Sequence, residues 1–127
     1  MPKLYPPNIQ GTLPSFYEEK GTVKLTVPFS MNKSVSASEV SAISLRLKTA
    51  LTDEIIYDNE KTSMVLTESG ATATFNLPKQ DPPLIIGNYY KVQIAYINNK
   101  NEVGFYSTVG VIKFTSKPVV YIANFNS

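Results

Sequence analysis

The sequence predicts an all-β fold, an antiparallel sandwich of about seven strands with at most one short helical turn. Three observations carry that expectation. Apolar and polar residues alternate strictly in several short runs, which sends one set of side chains to each face of a pleated strand. Proline and glycine punctuate the chain at roughly even spacing, as a sandwich of short strands requires. Residues 84–115 then read as two apolar-patterned runs joined by an Asn-rich segment, which makes them a hairpin.

In chain order, residues 1–21 carry Pro2, Pro6, Pro7 and Pro14, which cannot donate ladder hydrogen bonds and confine the stretch to a sheet edge. Tyr5, Ile9, Leu13, Phe16 and Tyr17 supply its apolar side, and residues 18–21 turn out of it. Val23, Leu25 and Val27 alternate with Thr22, Lys24 and Thr26, a strand that Pro28 is expected to end. Ser36 and Glu39 fit the Ser-x-x-Glu capping box, so one turn of helix is expected there. Ile43, Leu45 and Leu47 alternate with Ser44, Arg46 and Lys48, a strand over 42–50. Residues 53–60 read as a short edge strand or loop, and 64–66 as a further short strand. Glu68, Ser69 and Gly70 turn the chain into 71–77, where Ala71, Ala73, Phe75 and Leu77 alternate with Thr72, Thr74 and Asn76.

Residues 79–83, with two prolines, hand over to the hairpin. Its first strand turns Tyr90, Val92, Ile94 and Tyr96 inward and Lys91 and Gln93 outward; its second spans 104–107 and 109–115. The expected domain is 1–117. Residues 118–127 form a C-terminal extension that reads either as an edge strand or as the start of a following module, since domain boundaries favour such Pro-containing polar stretches.

Composition narrows function by exclusion. The 127 residues suffice for one core without crosslinks. A formal net charge of +2, thinly spread, favours neither nucleic acid nor an anionic membrane as a partner. No apolar run reaches the ~18–20 residues that span a bilayer, and Met1 is followed by Pro, Lys and Leu rather than a secretory signal. There is no cysteine and no histidine, which removes the best nucleophile and the usual general base. No enzyme and no cofactor is therefore expected.

Candidate sites are few. Asn98, Asn99, Lys100 and Asn101 form the hairpin tip, with Phe105 and Tyr106 just beyond, and loops on a rigid scaffold are where sandwiches make contacts. The competing reading is an ordinary polar turn, since Asn tolerates positive φ. Asp53, Glu54, Asp58 and Glu60 could gather around calcium, but their spacing fits no EF-hand loop and a solvated charged edge explains them better. Tyr89 points outward if Tyr90 points inward, and with Ile97 on the same face it would make an apolar patch. Asn32, Lys33 and Ser34 spell a glycosylation acceptor with nothing else to support that route. Carbohydrate stays open but not favoured, because sugar platforms prefer tryptophan and the chain has none.

Leu84, Gly87, Tyr90, Val92 and Ile94 stand at a spacing that resembles the tyrosine corner and following strand of fibronectin type III domains, within the immunoglobulin-like class. Gly104, Ser107 and Thr115 are similar to that family's continuation, so the resemblance covers 22–117. Ile86 departs from the family's proline, and Leu25, Val27 or Phe29 must fill the volume of its missing tryptophan. The resemblance implies that Leu84, Gly87 and Tyr90 act structurally, the ring in the core and the hydroxyl on backbone. The stretches 27–40, 89–96 and 104–115 are also similar to fibronectin-like modules of tailed-bacteriophage virion proteins. That resemblance implies a spacer, docking or fibre module, located in a virion or at a cell surface, whose partners are other virion or surface-assembly proteins or further copies of itself. The alternative is a bacterial adhesion or carbohydrate-binding module.

Overall fold

A computed structural model describes residues 3–9, 15–63 and 71–117. The expected strand at 64–66, the turn at 68–70 and the extension 118–127 lie outside the described residues. Eight strands occur among those described: β1 (Asn8–Ile9), β2 (Ser15–Glu19), β3 (Thr22–Ser30), β4 (Val40–Thr49), β5 (Ile55–Ser63), β6 (Ala71–Pro78), β7 (Tyr89–Asn98) and β8 (Gly110–Lys113). They form two antiparallel sheets, so the fold is the all-β sandwich that the alternation predicts. In one, β3 pairs with β6 on one side and with both β1 and β2 on the other; the second has the order β5-β4-β7-β8.

The core is what the alternation dictates. Leu25 and Val27 of β3, Ala73 of β6, Leu45 and Leu47 of β4, and Val92 and Ile94 of β7 are all fully buried between the sheets. Phe16 closes one side, its ring edge-on to Tyr90 at 5.6 Å and to Phe114 at 4.8 Å.

Several expectations need correction. Pro28 does not end its strand; β3 continues to Ser30, with Pro28 opposite Thr72. On the other side of β3, described pairing passes from β2, ending at Thr26, to β1, starting at Phe29. The missing amide thus falls between two short edge segments, where proline is tolerated. The acidic stretch after Asp53 is an edge strand, as one of its two readings had it, but not a short one: β5 runs nine residues at the border of its sheet. Its period-2 pattern is hidden by two register shifts opposite Leu45, Leu47 and Lys48, one of them at Asn59 with φ 55. The second half of the hairpin is regular only over Gly110–Lys113, so β7 is an interior strand and β8 lies beside it. The helical turn is a single 3-10 turn, Ala37–Glu39, in which the Ser36 amide donates to the Glu39 carboxylate at 2.9 Å.

Tyrosine hydroxyls bind the sheets to the connections. Tyr57 of β5 donates to the Pro78 carbonyl at 2.5 Å, tying one sheet to the other. Tyr96, fully buried, accepts the Asn32 amide at 3.0 Å. Burial pushes the phenols of Tyr57, Tyr96 and Tyr106 above the ordinary value, that of Tyr57 to about 12. Each contribution to stability is intact below the unfolded value of about 10 and is lost as pH rises through the folded one. Ultraviolet titration of the eight tyrosines is therefore expected to show a late-ionising group coincident with alkaline unfolding. All eight ionising together near pH ~10, with the fold intact, would contradict the buried geometry.

Candidate functional site

The chain's polar clusters lie at the two ends of the sandwich and on the outer face of the β4–β7 sheet. The Asn-rich tip is built from the inside. Asn98 is buried, and its side-chain oxygen accepts the amides of Lys100 at 3.0 Å and Glu102 at 2.9 Å. Its amide nitrogen donates to the Glu102 carboxylate at 2.9 Å. Asn101 takes φ 64, the left-handed conformation that asparagine tolerates, and its side chain accepts Lys61 Nζ at 3.2 Å. Asn99 donates to the Ser38 carbonyl at 2.9 Å. The asparagines therefore hold the turn, and Lys100 stands exposed at its apex.

Phe105 and Tyr106 part company. Phe105 is half exposed, its ring stacked on Tyr5 with centroids 6.5 Å apart and Lys3 Nζ 5.4 Å above it. Its amide donates to the Leu4 carbonyl at 3.0 Å. Gly104 makes that approach feasible, since a Cβ there would lie 2.7 Å from the same carbonyl. The result is a groove of about 580 Å³ bounded by Leu4, Tyr5, Val35, Asn99, Lys100 and Phe105.

Tyr106 instead crosses the outer face of β7 and β4. The backbone beside it follows β7, with the Gly104 amide on the Tyr96 carbonyl and the Ser107 amide on that of Ile94, both at 2.8 Å. Its hydroxyl reaches Ser44 Oγ at 2.7 Å and donates to Asn59 Oδ1 at 2.9 Å. The Arg46 guanidinium sits 4.1 Å over the ring and pairs with Asp58 at 2.9 Å. The Tyr106 hydroxyl caps Ser44, which is fully buried, as are Ala95 and Ile97 on the same outward register. Ile97 is thus unavailable to the outward patch expected around Tyr89, which is itself exposed.

The residues of the expected tyrosine corner come together. The Ile85 amide donates to the Tyr90 hydroxyl at 3.1 Å while the ring stays buried against Phe16. Gly87 takes φ 97, open only to glycine at low cost, and its amide donates to the Phe114 carbonyl at 2.8 Å. Leu84 packs against the core. The acidic residues of 53–60 are drawn apart: Asp53 pairs with Lys91 at 2.7 Å and Asp58 with Arg46. Among the described residues no three acidic side chains converge on a common point.

Lys3, Leu4, Tyr5 and Val35 in the groove, and Ser44 and Asn59 beneath Tyr106, were not foreseen. Their partners lie tens of residues away, and only the small residue at Gly104 hints at a close backbone approach. The fold and these clusters define the class of protein as a β-sandwich module with stabilised loop ends. No protein-family model and no curated protein matches the chain in sequence.

Proposed function

We propose that this chain is a fibronectin type III-like module with a non-catalytic structural or docking role in a larger assembly, a tailed-phage virion being the favoured setting. The observation that carries the reading is the strand order, β1/β2-β3-β6 facing β5-β4-β7-β8, closed by the Ile85–Tyr90 corner. Both features are compatible with that sandwich. The role itself follows from the resemblance of 27–40, 89–96 and 104–115 to virion modules. It is supported by the way the Asn98–Asn101 tip and Tyr106 spend their side chains on bonds within the fold, which suits a spacer.

A second reading, a carbohydrate-binding or adhesion module, is favoured by one feature: the exposed Tyr5–Phe105 pair beside Asn99 and Lys100 could face a sugar ring. The test is to sediment and cross-link the native gene product in its source. Recovery with intact particles, cross-linked to particle proteins, is the expected result. Recovery only as a free monomer that binds oligosaccharide saturably would favour the second reading.

A further inference from the structure

The two ends of the sandwich differ in shape and charge. β7, ten residues long and so about 30 Å at ~3.3 Å per residue, separates them. At one end lies the groove, its mouth carrying Lys3 and Lys100 and its walls Leu4, Val35 and Phe105. The Glu39 carboxylate, also on the groove, already accepts the Ser36 amide. At the other end the turn between β4 and β5 displays Leu51, 97% exposed, beside Asp53 and Glu54. Ile85 and Ile86, 60% and 63% exposed, share that end.

The Leu51 turn is preorganised. Its Thr49 amide donates to the Glu54 carbonyl at 2.9 Å and its Asp53 amide to the Thr49 carbonyl at 3.2 Å. The Thr49 and Thr52 hydroxyls lie 2.5 Å apart. An almost bare leucine on a fixed turn loses little conformational freedom on docking. Lys91 answers Asp53 within the chain, which leaves Glu54 to bring charge to a partner.

We infer that the Leu51 turn of one copy seats in the Lys3–Lys100–Phe105 groove of a second copy. Apolar projection meets apolar wall, and the Glu54 carboxylate meets the Lys3 and Lys100 mouth; Asp53, answered by Lys91 and Lys48, adds nothing. Because the two features lie at opposite ends, no copy satisfies its own. The contact is head-to-tail, so it repeats from copy to copy rather than closing as a two-fold dimer. Each junction is small, so it is weak alone and gains strength by repetition or by tethering in an assembly. The inference rests on the structural-module reading and names its partner as the chain itself.

Sedimentation velocity over a concentration series tests it. The expected result for the wild type is a sedimentation coefficient that climbs with concentration and falls back in high salt, as a charge-assisted contact demands. Leu51→Arg and Phe105→Arg, both at exposed positions, should each weaken association at least about tenfold, with circular dichroism unchanged. Mixed in equal amounts they should associate again and stop at a dimer. The first variant retains an intact groove and the second an intact turn.

A wild type that stays monomeric throughout overturns the inference, as does a mixture no better associated than either variant alone. Saturable binding of an acidic oligosaccharide in the groove without self-association overturns it too. A chain that is monomeric yet sediments with its particle sinks this contact and leaves the module reading standing. Self-association with no particle partner does the reverse.

Discussion

Replacing Phe16 by alanine is expected to cost about 3–5 kcal/mol of folding stability, the range for deleting a buried aromatic ring. Phe16 is 1% exposed and sits where β2, the start of β7 and the residue after β8 converge. Its ring meets Tyr90 and Phe114 in edge contacts, worth about 0.5–1.5 kcal/mol beyond area burial. The Thr115 amide also donates to its carbonyl at 3.0 Å, which brings the end of the second sheet onto β2 of the first. The cavity would thus open at a joint between sheets. Urea denaturation followed by circular dichroism measures the loss. A change below about 1 kcal/mol, typical of surface positions, would mean that β2 does not dock as described.

Tyr106→Phe carries the next largest expectation, a loss of about 1–3 kcal/mol from one oxygen atom. The hydroxyl of Ser44 is fully buried, and the Tyr106 hydroxyl is its hydrogen-bond partner across the outer face. Removing it strands that hydroxyl away from water, which costs the desolvation penalty rather than the net value of a hydrogen bond. The double variant Ser44→Ala with Tyr106→Phe should recover part of the loss, because both polar atoms are then gone. A double variant that loses as much as the two single variants added together would show that the two groups act independently. The same measurement addresses the role of Tyr106. A stability effect marks it as a strap across the sheet, whereas unchanged stability would return it to the surface as a contact residue.

The strap illustrates how the outer face of a sheet can be misread from local pattern. Along β7 the alternation correctly turns Tyr90, Val92 and Ile94 inward and Tyr89 and Lys91 outward. It fails at Ala95 and Ile97, which have outward parity and are nonetheless buried. Period-2 patterning reports which face a side chain takes, but not whether another segment later covers that face. Here the cover comes from Val103, which bridges to Ile97, and from Tyr106.

By itself the sequence determined the elements whose cause is local. The alternations of β3, β4, β6 and β7 name their own buried faces, since each side chain's direction follows from its neighbours. The Ser36–Glu39 turn was legible for the same reason, its partners lying three residues apart, and so was the Ile85–Tyr90 bond, whereas Gly87 and the Tyr90 ring reach Phe114 and Phe16 far along the chain. Tertiary structure alone decided the rest. β5 emerged as a full strand only because its bulges against β4 absorb the broken pattern. Pro28 stayed inside a strand because β6 pairs with it on one side, while on the other neither described edge segment, β1 or β2, does. The groove joins residues 3–5 to Val35 and to the 98–105 segment. Side chains so far apart in the chain meet only after both sheets have formed, so no local pattern encodes their meeting.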